Sequence, residues 1–222
     1  MIVITTNNGK SHLERLLNEL NNLDLLNHKV LVVDSGSSDV ESLNYLENLK
    51  LNNSFKYNLT IDKTPYSGYD SGVIIYTIKN YEDDSYIFIH DSFSIKTNEF
   101  FTKMDELMNK KNVVVPLLIF NGNAYDNDSQ KDFCKSKYGS EKYDSGIFAS
   151  IFGISKKSLK KINKNKLYIP TNKNESRAME RCWWIIFNKS GLTIEPLEGV
   201  YDYNKIIKNE YHYFSKYLTG RQ

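Results

Sequence analysis

The chain has 222 residues, enough for one sizeable domain with its own core. Hydrophobic residues make up 40% and the net charge is +2, which argues against disorder and gives no electrostatic case for nucleic acid or an anionic membrane. The longest apolar runs, such as "VVVPLLIF", are too short to span a bilayer. "MIVITTNN" turns polar by residue 5 and lacks a basic flank, so it does not read as a signal peptide. Cys134 and Cys182 fit no zinc spacing and read as two free thiols of a cytoplasmic chain.

The first half alternates strand and helix patterns. "MIVIT" reads as a strand. "SHLERLLNELNNL" places Leu13, Leu16, Leu17 and Leu20 at helical spacing, with Ser11 and Glu14 in capping-box form. "KVLVVDSGSSD" holds a second strand, and Ser38 with Glu41 opens a second helix. "YNLTID" is a third strand, "GVIIYTIKNY" a short helix, and "YIFI" a fourth strand. "TNEFFTKMDELMNK" is a helix with Thr97 as its cap. This order predicts an α/β fold with a mostly parallel sheet covered by helices on both faces.

The second half is less regular. "VVVPLLIF" reads as a strand whose Pro116 favours an edge or a bulge. Residues 121 to 146 read as a long polar loop, and "GIFASIFGI" as one strand followed by a short basic helix, "KKSLKKI". "SRAMERCWWIIFNKSG" is the strongest late helix, with Ser176 as its cap and Gly191 as its stop. The tail "YNKIIKNEYHYFSKYL" reads as an ambiguous helix. No linker divides residues 1–222, so the chain reads as a single domain with a first half, 1–95, and a second, 96–222.

In a parallel α/β sheet, ligands bind beyond the carboxyl ends of the strands. The polar residues there are Thr5, Thr6 and Asn7 after the first strand, and Asp34 with Gly36 after the second. "TPYSGYDSG", which holds Asp70, follows the third, and His90, Asp91 and Ser92 follow the fourth. Asp34 is suited to accept hydrogen bonds from a nucleoside base or ribose; equally, "VVDSGSSD" is a tight strand-to-helix turn that needs Gly36 for its backbone geometry. Neither G-x-G-x-x-G nor G-x-x-x-x-G-K-[ST] occurs, which weakens dinucleotide and P-loop readings.

Four stretches in order carry a resemblance: "MIVITTNN…LERLLNEL…VLVVDSGSSD", "GYDSGVIIYTIKNY…YIFIHDSF", "GIFASIFGISKKSLKKI" and "AMERCWWIIF". Together they resemble the family 2 type glycosyltransferases of the GT-A fold, over almost the whole chain. The resemblance implies a GT-A-like, Rossmann-type fold. The activity it implies is transfer from a nucleotide sugar (UDP-, GDP- or dTDP-linked) to a hydroxyl of a glycan, lipid-linked or protein acceptor. It also implies a divalent cation, Mn²⁺ or Mg²⁺, on the donor's diphosphate. Thr5, Thr6, Asn7, Asp34, Gly36 and Asp70 become the nucleotide-binding candidates.

The family supplies two acidic residues at the fourth strand's end, where this chain has one, in His90-Asp91-Ser92. Asp91 is therefore the expected metal ligand, with His90 and the late His212 as helpers. Lys216 and Arg221 could contact the diphosphate on a closing tail, but basic residues are common enough in this chain that an ordinary surface role is favoured. Glu180, at the start of the late helix, matches the family's catalytic carboxylate and would act as general base in an inverting displacement. Its neighbour is Arg181, where the family has Asp. Taken alone, Glu180 also reads as a first-turn Glu favoured by the helix dipole. Trp183 and Trp184 read as one core residue and one partly exposed. Two other readings stand beside the transferase: a GT-A-like domain that binds nucleotide or a protein partner without catalysis, and a nucleotidyltransferase on a similar sheet.

Overall fold

The computed structural model describes residues 1–23, 25, 28–52, 54–66, 69–121, 127–139 and 145–216. Its first half runs β1 (Ile2–Thr6), α1 (Lys10–Asn22), β2 (Lys29–Asp34), α2 (Val40–Leu51), β3 (Asn58–Lys63), α3 (Tyr69–Asn80), β4 (Ser85–His90), β5 (Phe93–Ile95) and α4 (Glu99–Met108). The second half runs β6 (Val113–Pro116), β7 (Ile119–Asn121), α5 (Asp128–Tyr138), β8 (Ser145–Ile147), β9 (Phe152–Ser155), α6 (Lys156–Leu159), α7 (Lys173–Lys189), β10 (Thr193–Ile194), α8 (Tyr203–Lys208) and β11 (Phe214–Lys216).

The main sheet has the strand order β10-β6-β9-β4-β1-β2-β3. Every neighbouring pair in it is parallel except those of β9, which runs antiparallel to both β4 and β6. The sheet is thus the mostly parallel one expected. Strand residues alternate between two apolar layers. Ile2, Ile4, Ile87 and Ile89 pack with α1, α2 and α4 on one face. Val3, Leu31, Tyr86 and Phe88 pack with α3, α5 and α7 on the other. Helices therefore cover both faces, as α/β layering requires.

Several expectations are corrected in detail. α1 is capped by Gly9 without a side-chain bond, not by Ser11. Asp39, not Ser38, caps α2 by accepting from the Ser42 amide at 2.8 Å. "VVVPLLIF" is two strands, β6 and β7, broken after Pro116, and "GIFASIFGI" is β8 and β9 separated by a turn. The polar stretch 121–146 contains α5, which ends on Gly139 in the left-handed region. α7 starts three residues before Ser176, capped by Asn172. The tail forms α8 and then β11, which pairs antiparallel with β5.

Cys134 and Cys182 are free thiols, as expected, with their sulfurs 3.1 Å apart between α5 and α7. Trp183 is buried, its indole N–H donating to Ser71 Oγ at 3.1 Å, while Trp184 is half-buried. Among the described residues, no helix is long and apolar enough to cross a membrane.

Candidate active site

Two clefts open along the carboxyl edge of the sheet. The first, of about 470 Å³, is lined by Asn7, Ser35, Gly36, Lys63, Thr64, Pro65, Tyr66 and Tyr69. These residues follow β1, β2 and β3, whose register carries all three strand ends to one place: Thr6 lies opposite Asp34, and Asp34 opposite Lys63. Of the expected nucleotide residues, Asn7 and Gly36 line this cleft. Thr5, Thr6 and Asp34 are buried beneath it.

Asp34 acts here on its own backbone. Its Oδ1 accepts from the Gly36 amide at 3.2 Å and the Ser37 amide at 2.8 Å, while Oδ2 lies 4.0 Å from Lys63 Nζ. The turn needs Gly36 because its φ is 107°, outside the range of ordinary L residues. Asn7 Nδ2 donates to the Ser35 carbonyl at 3.3 Å, and Thr6 accepts from the Ser35 amide at 2.9 Å. The β1 and β2 ends are thereby latched together.

The second cleft, of about 810 Å³, is lined by Phe120, Asn121, Phe148, Arg177, Glu180, Arg181, Val200 and Tyr201. α7 supplies its charged wall. Met179, Trp183 and Ile186 are buried on the helix's inner side, which turns Arg177 and Glu180 outward. Because α7 begins at Lys173, Glu180 is two turns inside it, beyond the reach of the helix-terminal field. Its side chain is 23% open, at the floor of the cleft. Burial pushes the Glu180 carboxyl up to about 7, against the pull of the Arg181 and Lys216 cations. The negative charge of Asp70 pushes upward, and the nearby Ala149 amide pulls down. Arg181 Nη1 lies 3.6 Å from Glu180 Oε2, and its guanidinium sits 4.3 Å over the Phe120 ring. Phe148 and Tyr201 stack at 4.5 Å to form an aromatic wall.

Between the clefts lies the end of β4. His90 Nε2 is 3.3 Å from Oδ1 of Asp70, which stands in the first turn of α3. Asp91 is fully buried and turns away. Its Oδ2 accepts from Thr6 Oγ1 at 2.7 Å and lies where a Cβ on Gly9 would approach to 2.2 Å. Asp91 therefore packs under the start of α1, which only a glycine at position 9 allows. Arg15 Nη2 fixes the same turn by donating to the carbonyls of Asp91 at 3.0 Å and Phe93 at 3.2 Å.

The three expected metal ligands do not converge. His212 is on the outside of the molecule, its Nε2 3.1 Å from Glu99 Oε2. Among the described residues, no three His, Cys, Asp or Glu side chains form a group fit for a metal ion. A divalent cation takes about six oxygen or nitrogen ligands. The donor set at this strand end offers a carboxylate committed to Thr6, an imidazole facing Asp70 and the neutral Ser92, so the expected ligand set does not fit the cation.

The residues missed in the sequence are Lys63 of the first cleft and Phe120, Asn121, Phe148, Arg177, Val200 and Tyr201 of the second. Thr64, Pro65, Tyr66 and Tyr69 of the first cleft stand in "TPYSGYDSG", a stretch that its strand-end position singles out, although only Asp70 of it stands among the expected site residues. Arg221 lies outside the described residues.

The chain is similar in fold to several solved glycosyltransferase structures. S. aureus TarS 1–349 in complex with UDP-GlcNAc superposes with a TM-score of 0.58 at 16% identity, over 100% of this chain and 59% of that one. The mannosyltransferase PcManGT from Pyrobaculum calidifontis, in complex with GDP-Man and Mn²⁺, gives 0.58 at 11% identity, over 88% and 53%. The chain has the GT-A glycosyltransferase fold. Glucosyl-3-phosphoglycerate synthase from Mycobacterium tuberculosis, in complex with Mn²⁺, UDP and glucosyl-3-phosphoglycerate, gives 0.53 at 13% identity, over 90% and 69%. This GT-A chain spans less than two thirds of the TarS fragment's length. No protein-family model matches the sequence, and no curated protein does.

Proposed function

We propose that this chain transfers a sugar from a nucleotide-sugar donor to an acceptor hydroxyl, with inversion at the anomeric carbon and Glu180 as the general base. The carrying observation is a carboxyl with a pKa near neutrality on the floor of a cleft, beside a second cleft built from three strand ends. The nucleoside of a UDP-, GDP- or dTDP-linked sugar occupies the first cleft, against Tyr66, Lys63 and the latched β1 and β2 ends. The diphosphate runs past Asp70 and His90, which leaves the sugar facing Glu180. The acceptor, a glycan, lipid-linked or protein hydroxyl, enters over Phe148 and Tyr201.

In the reaction, the acceptor oxygen forms a bond to the anomeric carbon as the bond to the diphosphate breaks. Glu180 takes the hydroxyl proton, and the nucleoside diphosphate leaves with the bonding pair. A base is most effective when its pKa lies near the working pH, and such a group contributes roughly 10²–10⁴ in rate. Since the residues at the end of β4 do not fit the expected cation, no step is assigned to a metal.

The test is a thermal-shift screen of UDP-, GDP- and dTDP-sugars, because a ligand that binds the native state raises its apparent stability. NMR of the transfer product from the best donor then reads its anomer. Inverted product that disappears in Glu180→Gln supports the reading, and retained product defeats it. Ser92 stands where a carboxylate was expected, which favours one rival: a binding module without catalysis. Donor binding without turnover on any acceptor would establish that rival.

A further inference from the structure

We infer that the Lys216 ammonium holds the donor's diphosphate in place of a divalent cation. This rests on the reading of the first cleft as the nucleotide site. A departing diphosphate needs positive charge beside it; Lys63 lines the first cleft and Arg177 and Arg181 the second, while the carboxylates of Asp70 and Glu180 and the imidazole of His90 stand between. Repulsion from the carboxylates raises that need.

Lys216 is placed to meet it. β11 pairs antiparallel with β5, with Phe214 opposite Ile95 and Lys216 opposite Phe93. Side chains two apart on a strand share a face. Phe214 is fully buried, its ring 5.4 Å from that of Phe93, so Lys216 is directed inward on the same side. Its Nζ lies 5.3 Å from the centre of the Phe93 ring and 4.5 Å from that of Phe148. Phe93 is two residues beyond Asp91, and Phe148 is part of the second cleft's wall. Lys216 is also close enough to Glu180 to pull its carboxyl pKa downward. The ammonium thus stands between the end of β4 and the catalytic cleft, where the leaving group must pass. An ammonium serves as a point charge for phosphate without any ligand set. The donor atoms fit this division: the one carboxylate at the strand end is spent on Thr6 and the start of α1, so the charge has to come from a side chain.

The experiment is calorimetric titration of UDP, GDP, dTDP and the matching nucleosides, in EDTA and in Mn²⁺. The proteins are wild type, Lys216→Met and Lys216→Arg, with melting temperature as a check on folding. Methionine keeps the apolar stem over the two rings and removes only the charge. We expect the preferred nucleoside diphosphate to bind equally in EDTA and Mn²⁺. Its affinity should fall about 10- to 100-fold in Lys216→Met, the range of a charge-assisted hydrogen bond. Nucleoside affinity should not change, and Lys216→Arg should retain most diphosphate binding. Diphosphate binding that requires Mn²⁺, or that is the same in Lys216→Met and wild type, overturns the inference and leaves the nucleotide site standing. Failure of every nucleotide and nucleoside to bind under both conditions removes the nucleotide reading itself, and this inference with it.

Discussion

The Glu180 carboxyl on α7 stands within the electrostatic influence of the backbone amide of Ala149, a residue whose φ of 53° lies in the left-handed region. Ser150 shares that φ of 53°. Two successive non-glycine residues in this region are costly, on the order of 1–3 kcal/mol each. The strained β8–β9 turn therefore sets an amide near the carboxyl on α7, where it favours the ionised form.

The first prediction concerns the pH dependence of turnover. Glu180 must be ionised to take a proton, and burial has raised its pKa to about 7. Activity should therefore climb as pH rises through about 7 and level off above it. A pH profile of kcat/KM with a wild-type donor checks this. Glu180→Gln should reduce kcat by roughly 10²–10⁴ at every pH and leave donor affinity near wild type.

The same group should shape stability. Its carboxyl is protonated in the folded chain up to about pH 7, while in the unfolded chain it ionises near its ordinary value of 4.5. Between those values the folded state binds more protons at this group, so the stability Glu180 contributes is fully present below about 4.5 and is lost as pH rises through about 7. The loss is on the order of 2–3 kcal/mol. Urea unfolding at pH 4.5 and pH 8 should show a smaller decline for Glu180→Gln than for wild type. Equal declines would mean that Glu180 is not buried as a neutral acid.

Asp91 should matter to the fold. Thr6→Val removes its 2.7 Å donor and leaves a fully buried carboxylate short of a partner, at about 1–3 kcal/mol. Gly9→Ala drives a Cβ to within 2.2 Å of Asp91 Oδ2, so either α1 or the β4 turn must shift. Both variants should melt lower than wild type in a thermal scan.

Asp34 and Tyr66 should separate in their effects. Asp34→Ala frees the Gly36 and Ser37 amides, so nucleotide affinity and melting temperature should fall together. Tyr66→Ala removes a wall of the first cleft, and affinity should fall with a smaller change in melting temperature. Calorimetry and thermal unfolding of both variants read the difference.

The first half of the fold was legible because β1, β2 and β4 are continuous apolar runs, and α1 carries its leucines at helical spacing. The outward placement of Glu180 was legible for the same reason, from Met179, Trp183 and Ile186 around it. The second half obscured its breaks. Nothing in "GIFASIFGI" announces a turn, because Ala149 and Ser150 occupy positions where glycine is the usual signal. α5 buries only Gln130, Phe133 and Cys134, too few apolar positions to distinguish it from a polar loop. The burial of Asp91 depends on a partner, Thr6, that lies 85 residues away in sequence. Lys216 reaches the site through the pairing of β11 with β5, which no local pattern records.

The antiparallel β9 has a consequence for how the chain is made. It sits between β4 and β6 and pairs with both, so those strands have no contact in the sheet until residues 152 to 155 arrive. A nascent chain that has emerged only through β6 carries two apolar strands with open edges, a template for pairing between chains. The insertion is non-local and slow, and synthesis proceeds at about 5–20 residues per second. Through that interval the early strands are exposed to aggregation and chaperone capture, so truncations ending before β9 should accumulate as insoluble protein.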